Sequence, residues 1–246
     1  MKIAVISDIH ANKAAFNEVL KDINQFNPDK IFCLGDLILA GYDPNFVCEK
    51  IFELKEKYKE NFEIIQGNTD KMVSNCTPEL LETAQKNYPC MGYSLAEDVK
   101  ITNKKYIDFV RNLPEKKQIK INNLKIDLIH GSPRNQSENI FPDLTTETVE
   151  EMTSSTDADI ILCGHTHLPC GYSLNSGKTV INVGSVGRSM TQDKMPVYLQ
   201  ITIDSKGSFF VEHKVVKYDN IQTSRHILAR GFKHCEDLAK MYIANK

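Results

Sequence analysis

Residues 2–65 alternate between short apolar segments and longer segments with helical spacing, and this alternation strongly limits the fold. The apolar segments are rich in β-branched residues and predict strands covered on both faces, at 2–6, 31–34 and 62–65. Between them, apolar residues recur at helical spacing over 13–25 and again from Phe46 to Leu54. This order is typical of a mainly parallel sheet with helical crossovers.

The middle of the chain is less regular. Helical spacing over 71–100, interrupted near Pro78 and Pro89, predicts one or two helices, and spacing over 102–112 predicts another. Together these segments form a predicted helical excursion at 71–113. This excursion either covers a site or simply packs on the sheet. The following segments predict a hairpin over Asn122-Asn123, then a helix and a further strand, at 116–121, 124–129, 145–154 and 160–162.

The last third of the chain changes to short strands separated by turns, at 170–174, 178–182, 196–203 and 208–216. These strands predict a second, largely antiparallel sheet. Helical spacing then covers 219–244, with a break or bend at Gly231, and its apolar face could join two copies of the chain as a homo-oligomer. Because the sequence has no internal repeat and no low-complexity linker, we predict one domain over residues 1–246.

Composition excludes several classes of protein. With 41% hydrophobic and 25% charged residues, the chain has the composition of an ordinary globule. A formal net charge of -2, without basic or acidic blocks, argues against charge-driven, non-specific nucleic-acid binding. No apolar run reaches the ~18 residues that a membrane span requires. The N-terminus leads directly into a strand pattern and lacks the features of a signal peptide.

The seven cysteines are widely scattered and form no Cys-x-x-Cys pair. A thiolate zinc site or a disulfide framework is therefore not expected. Free thiols point to a reducing compartment, and we predict a cytoplasmic protein.

Polar residues that could bind a metal follow five of the predicted strands. They are Asp8 with His10, Asp36, Asn68, His130, and His165 with His167. Each alone has an ordinary explanation, as a helix cap, a turn residue or a satisfied core histidine. Ligands bind beyond the carboxyl ends of strands in open α/β sheets, so all five strand ends can supply one site. The ordinary explanation would require five separate coincidences.

The segment Gly164-His165-Thr166-His167 carries the most specific part of this pattern. Side chains alternate along extended backbone, so both imidazoles are expected on one side of the strand end, as metal ligands often are. The full set contains two carboxylates, one amide and four imidazoles, which is too many for one tetrahedral zinc. It suits two ions of five or six coordination with a bridging carboxylate. Mixed N/O ligation favours Mn, Fe, Zn, Ni or Co. Because two divalent ions carry more positive charge than the two carboxylates balance, the site favours an anionic substrate such as a phosphate ester.

In order and identity these motifs resemble the calcineurin-like metallophosphoesterase superfamily. The matching segments are Asp8-x-His10, Gly35-Asp36, Gly67-Asn68-x-Asp70, His130 and Gly164-His165-Thr166-His167. The resemblance implies an α/β four-layer αββα sandwich of two mixed sheets flanked by helices, with a dinuclear metal site at the strand ends. The length and the segments at 130–134 and 182–185 are similar to the small bacterial and archaeal phosphodiesterases of the superfamily.

The resemblance also implies roles for individual residues. One metal would be held by Asp8, His10 and His167, and the other by Asn68, His130 and His165. Asp36 would bridge the two metals, and a catalytic role is implied for Asp36, Asn68 and His130. A water or hydroxide between the ions would attack phosphorus in line.

Thr69 departs from the family pattern, which has a histidine here as the presumed proton donor to the leaving group. Threonine has no accessible pKa and cannot act as a general acid. We therefore expect diesters or phosphoanhydrides, with Thr69 instead a candidate for substrate binding. Asp70 is the nearest titratable group, either as the donor or as a residue that holds a neighbour by a hydrogen bond.

Two arginines are candidates for binding phosphate, because a guanidinium can donate two parallel hydrogen bonds to it. Arg134 follows His130 by four residues, and Arg188 is the weaker candidate. The loop from Asn182 to Gly187 is expected to support the site by close backbone approach.

Two alternative functions remain open. The protein could be a phosphomonoesterase, or it could be a catalytically weak scaffold that uses the same fold to bind proteins.

Overall fold

A computed structural model describes residues 1–244 and places ten strands there in two sheets. The first sheet has the order β10-β9-β1-β2-β3. Its strands are β1 (Lys2–Ile6), β2 (Lys30–Cys33), β3 (Phe62–Ile64), β9 (Val197–Ile203) and β10 (Phe209–Val215). The strands β1, β2 and β3 are parallel, while β9 runs antiparallel to both β1 and β10. The predicted parallel unit of residues 2–65 therefore forms, with an antiparallel extension at one edge.

The second sheet has the order β4-β5-β6-β8-β7. Its strands are β4 (Lys116–Ile121), β5 (Leu124–Ile129), β6 (Ile160–Cys163), β7 (Cys170–Ser173) and β8 (Thr179–Asn182). The strands β5, β6 and β8 are parallel, and β4 and β7 are antiparallel to their neighbours. Both sheets are thus mixed.

The prediction that the late strands build their own, largely antiparallel sheet is wrong. They are divided between the two sheets, since β7 and β8 extend the second sheet while β9 and β10 extend the first. Alternating side chains indicate that a segment is a strand, but its partner is decided by long-range pairing. Here Ala4 of β1 pairs with Gln200 of β9, far away in the sequence.

The helices of residues 1–244 follow the predicted pattern with shifted ends. They are α1 (Lys13–Phe26), α2 (Pro44–Tyr58), α3 (Asn68–Ser74), α4 (Pro78–Asn87), α5 (Pro89–Ile101), α6 (Lys104–Arg111), α7 (Thr146–Met152), α8 (Asn220–Ala229) and α9 (Cys235–Lys240). Pro78 and Pro89 begin α4 and α5, a position where proline costs no hydrogen bond. The helical excursion therefore consists of four helices, from Asn68 to Arg111, and three of them lie before Thr102 where one or two are predicted. Gly231, with φ +68°, lies between α8 and α9.

The core has three apolar layers, which confirm the four-layer αββα arrangement. Alternation along β1 places Ile3 and Val5 between the sheets, where they join Leu128 and Leu162 of the second sheet. The opposite face of β1 packs against the helices of the first sheet, and α7 covers the outer face of the second. None of the helices in residues 1–244 is long and apolar enough to cross a membrane. The extent of the single domain stays a prediction.

Candidate metal centre

The structure brings all seven predicted ligands together at the carboxyl ends of β1, β2, β5 and β6 and at the start of α3. Five of them are buried side chains, Asp8, His10, Asp36, His130 and His167. Asn68 and His165 are half-buried. Ligand atoms of Asp8, His10, Asp36 and His167 all lie within 4.8 Å of one another.

One half of the cluster is centred on His167. Its Nε2 lies 3.1 Å from Asp8 Oδ1 and 3.0 Å from His10 Nε2. His10 Nε2 is in turn 3.6 Å from Asp36 Oδ2. This half contains the three residues that the family resemblance assigns to the first metal.

The other half is centred on Asn68, the first residue of α3. Its Oδ1 lies 2.9 Å from His130 Nε2 and 2.9 Å from His165 Nδ1. His130 Nε2 is also 3.3 Å from Asp36 Oδ2. Asp36 therefore contacts a histidine in each half, which is the position expected for a bridging carboxylate.

Backbone carbonyls fix the orientation of three of the imidazoles. The Nδ1 atoms of His10, His130 and His167 lie 3.0 Å from Leu39 O, 2.7 Å from Leu34 O and 2.7 Å from Arg188 O. Because a carbonyl only accepts, each of these Nδ1 atoms carries a hydrogen. In the neutral rings the Nε2 lone pairs then point into the cluster, an arrangement common among metal-binding histidines.

The two carboxylates of the cluster are held in their charged form. Burial alone would raise the pKa of Asp8, but His167, His10 and His130 outweigh it and hold this pKa well below its usual range. Burial is likewise outweighed at Asp36, where His130 and His10 lower the pKa to about 2. At His130 burial would lower the pKa, yet Asp36 and Asp8 raise it to about 10. The two carboxylates and His130 therefore stabilise one another's charged forms.

The donor set fits a metal site. Asp8 Oδ1 is buried and has no hydrogen-bond partner within residues 1–244. The facing Nε2 atoms of His10 and His167 are 3.0 Å apart, and two neutral rings with Nδ1–H cannot hydrogen-bond to each other through Nε2. A shared cation relieves both arrangements, and carboxylate, amide and imidazole are ligands for divalent transition metals.

Five of the predicted ligands lie in loops with unusual backbone conformation. Left-handed φ values occur at Asp8 (55°), His10 (48°), Asp36 (54°), His165 (67°) and His167 (62°). Such values are uncommon for residues other than glycine and cluster at functional sites.

The expectation that His165 and His167 leave an extended strand end on the same side is therefore wrong. Both residues follow β6 in left-handed conformation, so the alternation of extended backbone does not apply to them. Their imidazoles enter different halves of the cluster, His165 towards Asn68 and His167 towards Asp8.

Close packing of backbone supports the centre. A Cβ at Gly164 would lie 2.4 Å from Asp8 Oδ2, and one at Gly187 would lie 1.7 Å from Ile9 O. Asn182 Nδ2 donates to Gly164 O at 2.7 Å, and Ser185 Oγ donates to Asp8 O at 2.8 Å. The loop from Asn182 to Gly187 thus holds the segments that carry Asp8 and His165.

Thr69 and Asp70 are occupied by structural hydrogen bonds. Thr69 N–H donates to Asp36 Oδ1 at 2.8 Å, and its hydroxyl donates to Ile38 O at 3.1 Å. Asp70 accepts from the backbone N–H groups of Leu37, Ile38 and Gly67. Of the two roles considered for Asp70, the geometry favours holding its neighbours, because it ties the loop after β2 to the start of α3.

The two candidate arginines have different surroundings. Arg134 is exposed and forms a bidentate pair with Glu138, with contacts of 3.1 and 2.6 Å. Arg134 is not among the residues that line the cavity above the metal cluster. Arg188 lines the cavity above the cluster, and its buried Nε has no hydrogen-bond partner in the part of the chain that the structure describes. The weaker of the two sequence candidates therefore lies nearer the site.

A cavity of about 280 Å³ opens above the cluster. The seven-residue metal cluster forms its floor, and His10, Asp36, Asn68, His165 and His167 of this cluster line the cavity. Its wall contains Met72 of α3, Ala84 of α4, Tyr88, Met91 of α5 and Met190. Sequence reasoning named none of these wall residues, because apolar residues at helical spacing do not reveal which of them face a cavity. It also missed the carbonyls of Leu34, Leu39 and Arg188, for which residue type gives no signal.

Comparison with known proteins agrees with this architecture. Residues 1–206 match the calcineurin-like phosphoesterase superfamily domain. An uncharacterized protein from Methanocaldococcus jannaschii is 32% identical over 233 residues, covering 88% of each chain.

Two solved structures share the fold. A hypothetical protein from Pyrococcus horikoshii OT3 has a TM-score of 0.87 at 20% identity, covering 100% of this chain and 98% of that one. A metallophosphoesterase from Sphaerobacter thermophilus has a TM-score of 0.75 at 22% identity, covering 98% of both chains. With the family match and the M. jannaschii relative, we conclude that this chain belongs to the calcineurin-like phosphoesterase superfamily.

Proposed function

We propose that the protein is a phosphodiesterase that uses two divalent metal ions. The observation that carries this proposal is the two-part cluster, in which Asp36 contacts His10 on one side and His130 on the other. Asp8, His10 and His167 would hold one ion, Asn68, His130 and His165 the other, and Asp36 would bridge them. When bound, the ions would supply Lewis acidity that activates water and neutralises charge on the phosphoryl oxygens.

The preference for diesters rests on the surroundings of the leaving group. Thr69 Oγ1 donates to Ile38 O, and Asp70 is engaged by three backbone N–H groups. Neither residue is free to donate a proton towards the cavity. A substrate whose leaving group departs without protonation is therefore favoured, as in activated diesters or phosphoanhydrides.

The proposal is tested with bis-p-nitrophenyl phosphate and p-nitrophenyl phosphate in the presence of Mn²⁺, Ni²⁺ or Co²⁺. We expect metal-dependent release of p-nitrophenol, faster from the diester, and its loss in Asp36→Ala. No turnover with any of the metals and no effect of Asp36→Ala would favour a scaffold that binds proteins. A clear preference for the monoester would instead indicate a phosphomonoesterase.

The identity of the metals and the compartment are further parts of this proposal. Imidazole and carboxylate ligands favour Mn, Fe, Zn, Ni or Co, and metal analysis of the purified protein would distinguish them. The seven cysteines are free thiols, which suits the reducing cytoplasm. A homo-oligomer through residues 219–244 is tested by sedimentation, where a single monomeric species would exclude it.

A further inference from the structure

The wall of the cavity above the metal cluster is apolar and rich in sulfur. Three of the seven methionines of the chain, Met72, Met91 and Met190, line it together with Tyr88. Tyr88 is 70% exposed and Met190 is 37% exposed, so two large apolar side chains remain open to solvent at this site. Exposed apolar groups beside a polar site commonly mark the place where a ligand binds.

Arg188 supplies the charged part of the same cavity. Arg111, Arg134 and Arg230 each pair with a carboxylate, at 2.7, 2.6 and 3.1 Å. The Arg188 guanidinium instead approaches the sulfur of Met241 at 3.1 Å, and its buried Nε has no partner in the described residues. A buried donor without a partner is costly unless a ligand completes it.

We propose that the cavity binds phosphodiesters in which one ester group carries a flat aromatic ring, such as a nucleobase. The ring packs against Tyr88, Met91 and Met190, and Arg188 donates to a non-bridging oxygen of the phosphate. This inference rests on the proposed phosphodiesterase function and adds the class of substrate to it.

The chemistry of the wall favours an aromatic group over a purely aliphatic one. Thioether sulfur makes favourable contacts with ring edges, and a tyrosine ring stacks on another flat ring. Methionine side chains are flexible and adapt to rings of different shape. A volume of about 280 Å³ is near the lower end of small-molecule sites, which suits one heterocycle beside a phosphate.

The first test compares esters that share one leaving group. Thymidine 5′-(p-nitrophenyl phosphate), methyl p-nitrophenyl phosphate and cyclohexylmethyl p-nitrophenyl phosphate all release p-nitrophenol. In each, water adds to phosphorus, the bond to the nitrophenyl oxygen breaks, and the released proton goes to the buffer. We expect kcat/KM for the thymidine ester to exceed the other two by about tenfold, the size of effect of one aromatic contact. Equal values for the three esters would overturn the inference.

The second test changes the wall. We expect Tyr88→Ala and Met91→Ala to lower the thymidine-to-methyl ratio of kcat/KM by about three- to tenfold each. Phe210→Ala is the matched control, because Phe210 is 68% exposed on β10 and does not line the cavity. It should leave both the ratio and the rates unchanged. A ratio that is the same in wild type and both wall variants would contradict the role of the wall.

The third test measures binding without turnover. Calorimetry with thymidine 5′-monophosphate and with methyl phosphate should show tighter binding of the nucleotide. Arg188→Met should weaken both by about tenfold, since it removes one charge-assisted hydrogen bond, and Arg188→Lys should recover part of the loss. If no ester is hydrolysed but the nucleotide still binds preferentially, the proposed function fails and the binding site stands. If the esters are hydrolysed without preference and the two phosphates bind equally, this inference fails alone.

Discussion

The floor and the wall of the cavity are built on different principles. The floor consists of carboxylates, imidazoles and one amide that are buried or half-buried, and three of its imidazoles are oriented by backbone carbonyls. The wall consists of partly exposed methionines and a tyrosine from the helical excursion and the loop near Met190. Polar contacts have strict geometry, whereas apolar side chains can repack. The floor is therefore suited to holding metal ions in a fixed geometry, and the wall is suited to accommodating ligands of different shape.

This difference implies a separation of effects. Changes in the floor should weaken metal binding and lower the rates for all substrates, without altering the preference among them. Changes in the wall should alter that preference without affecting metal binding. Substitutions that affect both properties would show that the two regions are not independent.

Asp8→Asn should have the largest effect on the floor. It removes a buried negative charge whose Oδ1 lies 3.1 Å from His167 Nε2 and has no hydrogen-bond partner among the described residues. We expect Mn²⁺ affinity measured by calorimetry to fall at least about 100-fold, as for the loss of a direct ligand. Asp157→Asn is the control, because Asp157 pairs with Lys125 on the surface. Unchanged Mn²⁺ affinity in Asp8→Asn would contradict the assignment of the floor.

Gly164→Ala should damage the floor without changing a ligand. The new Cβ would lie 2.2 Å from Ser7 Oγ and 2.4 Å from Asp8 Oδ2, so the loop after β6 must shift. We expect a loss of about 1–3 kcal/mol in the free energy of unfolding, together with weaker Mn²⁺ binding. Gly171→Ala on β7, where the nearest atom would be 3.9 Å away, should change neither quantity appreciably. Equal behaviour of the two variants would mean that the close packing at Gly164 is unimportant.

The buried pair of Asp98 and Arg230 connects the helices of the wall with the loop that carries Leu39. Asp98 on α5 accepts from Ala40 N at 3.1 Å and lies 3.1 Å from Arg230. Burial raises the pKa of Asp98 to about 6, although Arg230 opposes it. The folded state therefore holds this proton more tightly than the unfolded state. The corresponding stability is present below about pH 4 and is lost as pH rises through about 6.

Asp98→Asn should remove this pH dependence. The unfolding free energy of the wild type minus that of the variant should fall by on the order of 2 kcal/mol between pH 4 and pH 7.5, measured by urea denaturation of metal-free protein. The comparison uses the slope with pH, because the absolute difference also includes an unpaired Arg230. Parallel pH profiles for the two proteins would disprove the raised pKa.

Tyr242→Phe should have the smallest effect. The hydroxyl of Tyr242 donates to Ala40 O at 2.6 Å, next to the Leu39 carbonyl that orients His10. We expect a loss of about 1 kcal/mol in the free energy of unfolding, and only a slight loss of Mn²⁺ affinity. Tyr242 belongs to the C-terminal segment, so a large loss of metal affinity would show that this segment helps to position the floor. No change in either quantity would mean that its hydrogen bond is unimportant.

The sequence by itself determined the floor of the site. Apolar strands ending in Asp8, Asp36 and His130 predicted which residues converge, because parallel strands bring their carboxyl ends to one edge. The sequence also determined that most segments are helix or strand, since hydrophobic periodicity is a local property.

Tertiary structure decided the remainder. The partners of β9 and β10, the left-handed turns at His165 and His167, and the proximity of Arg188 rather than Arg134 all depend on contacts between distant residues. The identity of the wall residues also depends on such contacts, because apolar helix positions have the same sequence pattern whether they face the core or a cavity. Local sequence patterns indicate which residues are buried and which are polar. Which distant residues become their neighbours is decided by strand pairing and side-chain packing.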